Sequence, residues 1–483
     1  MVQAGCSQKL VGSVIEEVLA SASVNIVGPT MSERTVARAV LEGGIMADIQ
    51  LGHELSQADG LTVSGDGTTH KNVNYESKHI NMLVPSYNSD HPTASEHRSR
   101  LVGVDSATDH SSKTQADGWK SKIQEKLAVY NQSPLAKRSQ AALTLAYFFV
   151  HLHGMNSDYA KDQKKLAKLL QEIKRSLLYE KLGEERLLDM DLSELKDLLE
   201  QANNQKLKDV GGQSNWDALS DTERLQKDSN IMSAVVLKLG QEVYSQLPDE
   251  EKHRVNFFIW VGCSMHKDLN CVKGGNTKMM AWWDDNGVSG PMLLANKDNA
   301  VVLDQADEED EFTIAEQQAH DLSTGGGVKL TSLAGMVFNN KNDKIGHQDI
   351  HQQFFVSQGL NPKKFPVTSN NHYQSHCAAA AELIKYLNLY IEFMEWIRDG
   401  KEKPGFTNIE KNVYNGLQDT PTQTELAVLI LYAQAISHPY MRQVRGPGTE
   451  NINMLDLGLL HSKVKAHLEE VISNPGILLP PNG

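Results

Sequence analysis

Apolar residues recur three and four positions apart over residues 10–19 and 32–41, so the opening of the chain is predicted to be helical. Ser32, with Arg34 and Thr35 after it, offers only a weak helix-start signal. The period then shortens. Residues 61–64, 80–84 and 101–104 are short apolar or β-branched runs parted by Gly, Asn, Asp, Ser and Pro, the pattern of a three-stranded antiparallel meander. A helix is predicted from about 114 to 130, with Trp119, Ile123, Leu127 and Tyr130 on one stripe. The apolar run 141–152 reads as a strand towards its end, and a long amphipathic helix follows Asp158.

From about 171 to 252 the pattern is helical and charged, which reads as an insertion. Residues 255–261 (Val-Asn-Phe-Phe-Ile-Trp-Val) then look strand-like and run into Cys263, and beyond 374 nearly everything is periodic at helical spacing. The expected plan is an N-terminal helical segment (1–55), the first part of a core (56–170), a helical insertion (171–252) and a return to the core carrying Cys263 (253–300). An irregular, acidic connection (301–373) and a C-terminal helical region (374–483) complete it. Three strands, a helix and a fourth strand, with acidic residues ending the first and fourth, is the order of an RNase H-like fold. The fold class expected is helix-dominated α+β, an RNase H-like mixed sheet with a large helical insertion.

Length and composition alter this picture in one respect. The 483 residues suffice for two or three packed units, with 40% hydrophobic and 22% charged residues. Lys and Arg total 47 against 61 Asp and Glu, a net charge of −14, whereas a protein that grips nucleic acid through its phosphates carries an excess of base. A DNA partner therefore requires local basic surface. Residues 161–175 form a basic cluster, whose plainest reading at helical spacing is a solvated helix face, and the acidic run 304–311 reads as a solvated loop or helix start. Four cysteines without paired spacing argue against a disulfide framework and for a reducing compartment. No 18-residue apolar run and no signal-peptide pattern occur, so an intracellular protein with no membrane partner is expected.

The candidate chemistry rests on strand-end acids. Asp66, among Gly65, Gly67, Thr68 and Thr69, and Asp158, after the apolar run, would offer carboxylate oxygens to Mg²⁺ or Mn²⁺, hard cations suited to phosphodiester displacement. Against this, Asp66-Gly67 has the chemistry of a hairpin turn, and Asn156-Ser-Asp158 that of a helix cap. Asp105 is a second choice as metal ligand, since the meander would set its strand beside Asp66, though capping of the next helix is the competing role. Cys263 and His266 have ligand chemistry for zinc, with Cys271 or the His372, His376, Cys377 cluster as partners. They also read as a nucleophile with its base, or as a buried thiol beside a hydrogen-bonded imidazole. The glycine-rich segments 272–278 and 323–329 lack phosphate-loop spacing, so no nucleotide cofactor is expected. Trp282 and Trp283 could stack an unpaired base or anchor a core.

Three segments carry a family resemblance: Ser157-Asp158-Tyr-Ala-Lys-Asp-Gln163, Cys263-Ser-Met-His266 with its trailing Leu269-Asn270, and Asn370-Asn-His-Tyr-Gln-Ser375. With these the chain resembles the hAT-type DNA transposases, and more closely a group of transposase-like proteins abundant in fungal genomes. The similarity to that group runs from about Gly43 onward and includes Ser64-Gly-Asp66-Gly-Thr-Thr-His70, Met279-Met-Ala-Trp282-Trp283 and the 438–446 segment, whereas to hAT enzymes proper it is confined to motifs. The resemblance implies an RNase H-like catalytic core with Asp66 and Asp158 holding Mg²⁺ or Mn²⁺, DNA as the molecule cut or joined, and a nuclear location. Cys263 and His266 would support the site structurally. A third carboxylate is also implied, a Glu in an Ala-x-x-Glu-Arg setting, and this sequence lacks it; Glu382, Glu392 and Glu425 lie in other surroundings. The N-terminal zinc finger usual in such enzymes is absent too. The expectation is an incomplete or inactive relic or fragment. The first alternative is a non-catalytic helical interaction or DNA-associated protein, and self-association through the C-terminal helices is a separate expectation. The second is a zinc-stabilised binding module built on Cys263, His266, His376 and Cys377.

Overall fold

Among the described residues five strands make one sheet in the order β3-β2-β1-β4-β5, where β1 is Leu61–His70, β2 Val73–Pro85, β3 Ser95–Ala107, β4 Leu152–Ser157 and β5 Ile259–Gly262. The first three pair antiparallel, β4 runs parallel to β1, and β5 parallel to β4. A meander extended on its first strand by two parallel strands is the RNase H-like arrangement, in agreement with the order of elements along the chain. The structure, a computed structural model, describes residues 5–24, 27–70, 73–87, 95–107, 109, 111–140, 142–305, 313–340, 346–361, 364–368, 374–449 and 452–479. These divide into two units, Met1–Gly262 and Cys263–Gly483.

In the first unit, side-chain alternation sends Leu61, Val63, Ile80, Met82 and Val84 to one face of the sheet, where all are buried. Helices α1 (Val11–Ser21), α2 (Glu33–Gln57), α3 (Ser112–Gln132), α4 (Pro134–Ser139) and α5 (Leu145–Val150) precede β4. The stripe Trp119, Ile123, Leu127 and Tyr130 on α3 is buried as its period predicts, in one core with Leu51 and Leu55 of α2. Ser32 is a better cap than the sequence signalled, because its hydroxyl accepts from Thr35 N. Glu54 of α2 ties that helix to β3: only 1% exposed, it accepts from Arg100 Nε and Nη2 at 2.7 and 2.6 Å and from Tyr87 OH at 2.7 Å.

Several expected boundaries move. β1 does not end at Asp66 but stays paired with β2 through Thr68 and Thr69, β-branched residues that keep the ladder going although they are not apolar. The strand expected over the end of 141–152 is the helix α5, begun by the Thr144 hydroxyl accepting from Tyr147 N, and β4 starts only at Leu152. Helix α6 (Lys161–Leu188) runs unbroken through the boundary expected at 171 and is followed by α7 (Leu192–Asp209), α8 (Gln213–Asp217), α9 (Asp221–Gln246) and α10 (Asp249–Asn256). Helices α6 and α9 pack backbone to backbone: a Cβ at Gly240 would fall 1.8 Å from Tyr179 O, so any other residue there would part them. Because α10 extends to Asn256, the strand expected over 255–261 shrinks to the four residues of β5.

The second unit is helical: α11 (Ser264–Asp285), α12 (Lys297–Leu303), α13 (Ile314–Leu322), α14 (Gly326–Phe338), α15 (Gln348–Ser357) and α16 (Ser375–Lys385), then α17 (Leu387–Asp399), α18 (Asn408–Gln418), α19 (Thr420–Tyr432), α20 (His438–Arg445) and α21 (Leu457–Ser473). Its core is aromatic, with Phe338, Phe355, Tyr390 and Phe393 packed around His351, whose imidazole burial pushes down to about 4, and Phe365 against Phe338 and Tyr390. The connection expected to be irregular over 301–373 is largely helical where described; residues 306–312, most of the acidic run, lie outside the described residues. The division after Gly262 also sets the Cys263–Asn270 segment at the head of this helical unit rather than on a return to the sheet.

Candidate functional site

Register decides where the two proposed acids stand. The parallel ladder between β1 and β4 ends at Ser64↔Asn156, and Asp66 and Asp158 each lie two residues further along. They therefore stand at corresponding positions just past the point where the two strands stop pairing, Asp66 within β1, which continues along β2, and Asp158 one residue beyond β4. Ser64 and Asn81 share the face opposite the core and are joined by Asn81 Nδ2 donating to Ser64 Oγ at 3.1 Å. Asn156, level with Ser64, donates to Val261 O at 3.2 Å. Alternation puts Asp66 on this polar face too.

Asp66 is not in a turn: it pairs with Ser77 inside the β1–β2 ladder, so the hairpin reading of Asp66-Gly67 is overturned. Its side chain is exposed, and among the described residues it has no hydrogen-bond or ion-pair partner. Asp158 is half-buried, and its Oδ1 accepts from Ala160 N at 2.9 Å, closing the turn that leads into α6. Ala160 rather than Asp158 is the residue at the helix cap position. Trp260 Nε1 donates to Ser157 Oγ at 3.0 Å, which fixes the ends of β4 and β5 beside it.

Asp105 stands elsewhere. Strand β2 lies between its strand and β1, contrary to the expected adjacency, and the carboxylate meets Lys122 Nζ at 3.0 Å and Lys78 Nζ at 3.4 Å. Burial alone would raise this carboxyl, but the two lysines outweigh it and hold it below the usual range. Its role is to partner the buried Lys78 under α3; Ser111, not Asp105, caps that helix. Glu76, opposite Gly67, belongs to the same charge cluster, 3.3 Å from Lys78 Nζ.

Cys263 is the cap residue of α11. Burial would raise its thiol, yet a hydrogen bond with the His266 side chain and the backbone amides of His266 and Met265 bring it below the ordinary value. One turn on, Asp268 is 3% exposed and accepts from Tyr432 OH and Ser437 Oγ, both at 2.9 Å. Burial pushes its carboxyl up in spite of those donors. Gln374 Nε2 donates to the same Ser437 Oγ at 3.0 Å, and Ser437 closes a π-helical turn, Ala433–Ser437. The start of α11, the head of α16 and the segment into α20 are thus bound through one buried acid, which sequence reasoning passed over because its partners are remote in the chain.

The remaining candidates separate. His376 Nδ1 is bonded to Thr331 Oγ1 at 2.9 Å, and burial pushes the Cys377 thiol up to about 12. His372 lies outside the described residues, as do Asn370 and Asn371. Among the described residues no three His, Cys, Asp or Glu side chains are grouped to hold a metal ion, whether zinc or magnesium. Trp283 Nε1 donates to the buried Glu425 at 3.0 Å, while Trp282 is 51% exposed. Glu425 also accepts from Gly327 N at 2.8 Å and crowds Gly326, whose φ of +84° and lack of a Cβ admit that carboxylate. The glycine-rich start of α14 is thus filled by the protein's own anion. No helix among the described residues is long and apolar enough to cross a membrane. Comparison of the chain with protein-family models and with curated proteins finds no match to either.

Proposed function

We propose that this chain is a relative of the hAT-type transposases, with an RNase H-like unit derived from a metal-dependent DNA strand-cleaving and strand-joining enzyme, and that its metal site is incomplete. The observation that carries this reading is the correspondence of Asp66 and Asp158, two residues past the last β1–β4 pair on a sheet of order β3-β2-β1-β4-β5. The donors suit a hard divalent cation: an exposed carboxylate without a protein partner among the described residues, and a second with one oxygen engaged by Ala160 N. Asp66 and Asp158 would hold Mg²⁺ or Mn²⁺, and when bound the metal would activate water or a 3′ hydroxyl. Asp158 is kept in place by its turn, and Asn81, Ser64 and Asn156 supply a polar surface next to the pair. Nuclear location belongs to the same reading.

Two observations favour the non-catalytic alternative for the present-day chain: the net charge of −14, and the lack of a third acid grouped with the pair among the described residues. The test has two readouts. Mn²⁺ binding, followed by electron paramagnetic resonance, is expected in the full chain and lost in Asp66→Ala and in Asp158→Ala; unaltered binding in both variants overturns the site. Plasmid nicking in Mn²⁺ is expected to be absent. Robust nicking that disappears in Asp66→Ala would show the site to be complete and the enzyme active.

A further inference from the structure

The first two turns of α6 carry Lys161, Lys164, Lys165 and Lys168, at spacings i, i+3, i+4 and i+7. All four are exposed, while Leu166, Ala167 and Leu170 between and after them are buried. They form one ridge about 10 Å long on the solvent side of the helix. Among the described residues none of the four enters an ion pair or donates a hydrogen bond. Lys164 is held over the rings of Tyr159 and Trp260, 5.8 and 5.5 Å from their centroids. The acid within the stretch does not neutralise the ridge: Asp162 turns towards α3, where its Oδ2 accepts from Gln115, and it also accepts from Gln163, each at 3.3 Å.

This placement runs against what folding alone favours. The N-terminal end of a helix is the positive end of its dipole and prefers acids, so Lys161 in the first turn opposes the macrodipole, and the four lysines, three and four residues apart, repel one another. An anion from outside the chain would relieve both. The ridge begins three residues after Asp158, so that anion would lie alongside the end of β4. We propose that the Lys161–Lys168 ridge of α6 is a docking surface for the phosphate backbone of duplex DNA. Charge complementarity carries the assignment: a chain of net charge −14 has no general attraction for a polyanion, and here four exposed lysines stand together without an ion-pair partner among the described residues. The choice of DNA, rather than another polyanion, rests on the reading of the β1 and β4 ends given above.

The test uses the full chain and a fluorescently labelled duplex, with anisotropy read in EDTA so that metal binding plays no part. Replacing three lysines (Lys161→Gln, Lys165→Gln and Lys168→Gln) is expected to weaken binding by at least about tenfold and to reduce the slope of log K against log salt by about 3. The single change Lys161→Glu separates binding from folding, since it suits the helix dipole: its melting temperature should not fall, while its DNA affinity does. Unchanged affinity and salt slope in the triple variant overturn the proposal. So does binding of labelled polyglutamate that the triple variant loses while duplex binding stays intact, which would mark the ridge as a surface for an acidic protein. Failure to bind Mn²⁺ in the separate experiment would leave the ridge standing and remove only the strand-cleaving site.

Discussion

A thiol at a helix start behaves according to what points at it. Cys263 sits at the cap of α11 with two backbone amides and the His266 imidazole turned to its sulfur, and these overcome the burial that would raise it. Cys271 and Cys377 are pushed the other way by burial, Cys377 to about 12. The alkylation order follows. Iodoacetamide at neutral pH should modify Cys263 on the order of tenfold faster than Cys271, although Cys271 is the more exposed, and His266→Ala should remove most of that advantage. Peptide mapping by mass spectrometry after short exposures reads both rates, and equal labelling of the two cysteines would show that the His266 contact does not activate the sulfur. Neither the zinc nor the nucleophile reading of Cys263 and His266 is needed for this behaviour, which comes from the hydrogen bonds to the sulfur and the electrostatic pull of His266.

At the scale of elements, the most consequential side chain is one that amphipathic analysis assigned to solvent. Lys174 lies within the basic stretch 161–175, yet it is 2% exposed and donates to Leu152 O at 2.7 Å and Phe257 O at 2.9 Å, pinning α6 to the start of β4 and the approach to β5. Burial lowers it from 10.5 to about 8. The unfolded chain therefore holds this proton more tightly than the folded one, so stability rises with pH between about 8 and 10.5 and the penalty is fully present below 8. The neutral amine still has two donors for its two carbonyls. Over that interval the parent should gain about 3 kcal/mol relative to Lys174→Met, read as denaturant midpoints at neutral and alkaline pH. A difference that does not change with pH would mean that the ammonium is not penalised.

Elements were legible where their own period reports their packing, and not where a distant partner decides it. The α3 stripe was readable because one side of a helix on a sheet must be apolar at its own period. The far half of β1 was not, since Thr68 and Thr69 are kept in the strand by pairing with β2, which no local pattern reports. The aromatic run that became α5 carries strand propensity, but Thr144 caps it and buries Phe148 and Phe149 from a helix. Asp66 and Asp158 were legible as residues; their correspondence required the register, and the rejection of Asp105 required knowing that Lys78 and Lys122 meet it.

For the molecule as a whole, the decisive feature is that the described residues form two cores. The residues buried around the sheet form one cluster and the aromatic residues around His351 another, on either side of the division at Gly262. Domains with separate cores unfold separately unless something else couples them. Phe393 is fully buried among Phe338, Phe354 and His351, so Phe393→Ala should cost about 3–5 kcal/mol in the helical unit. Hydrogen exchange followed by mass spectrometry would localise the loss. Peptides from α14, α15 and α17 should exchange faster in the variant, while those covering β1 and β4, which carry Asp66 and Asp158, keep the parent's protection. If β1 and β4 lose protection in step, the two cores form one cooperative block, and damage anywhere in the helical unit would reach the acid pair. If they do not, the sheet unit can keep its proposed metal site and lysine ridge whatever becomes of the helical half.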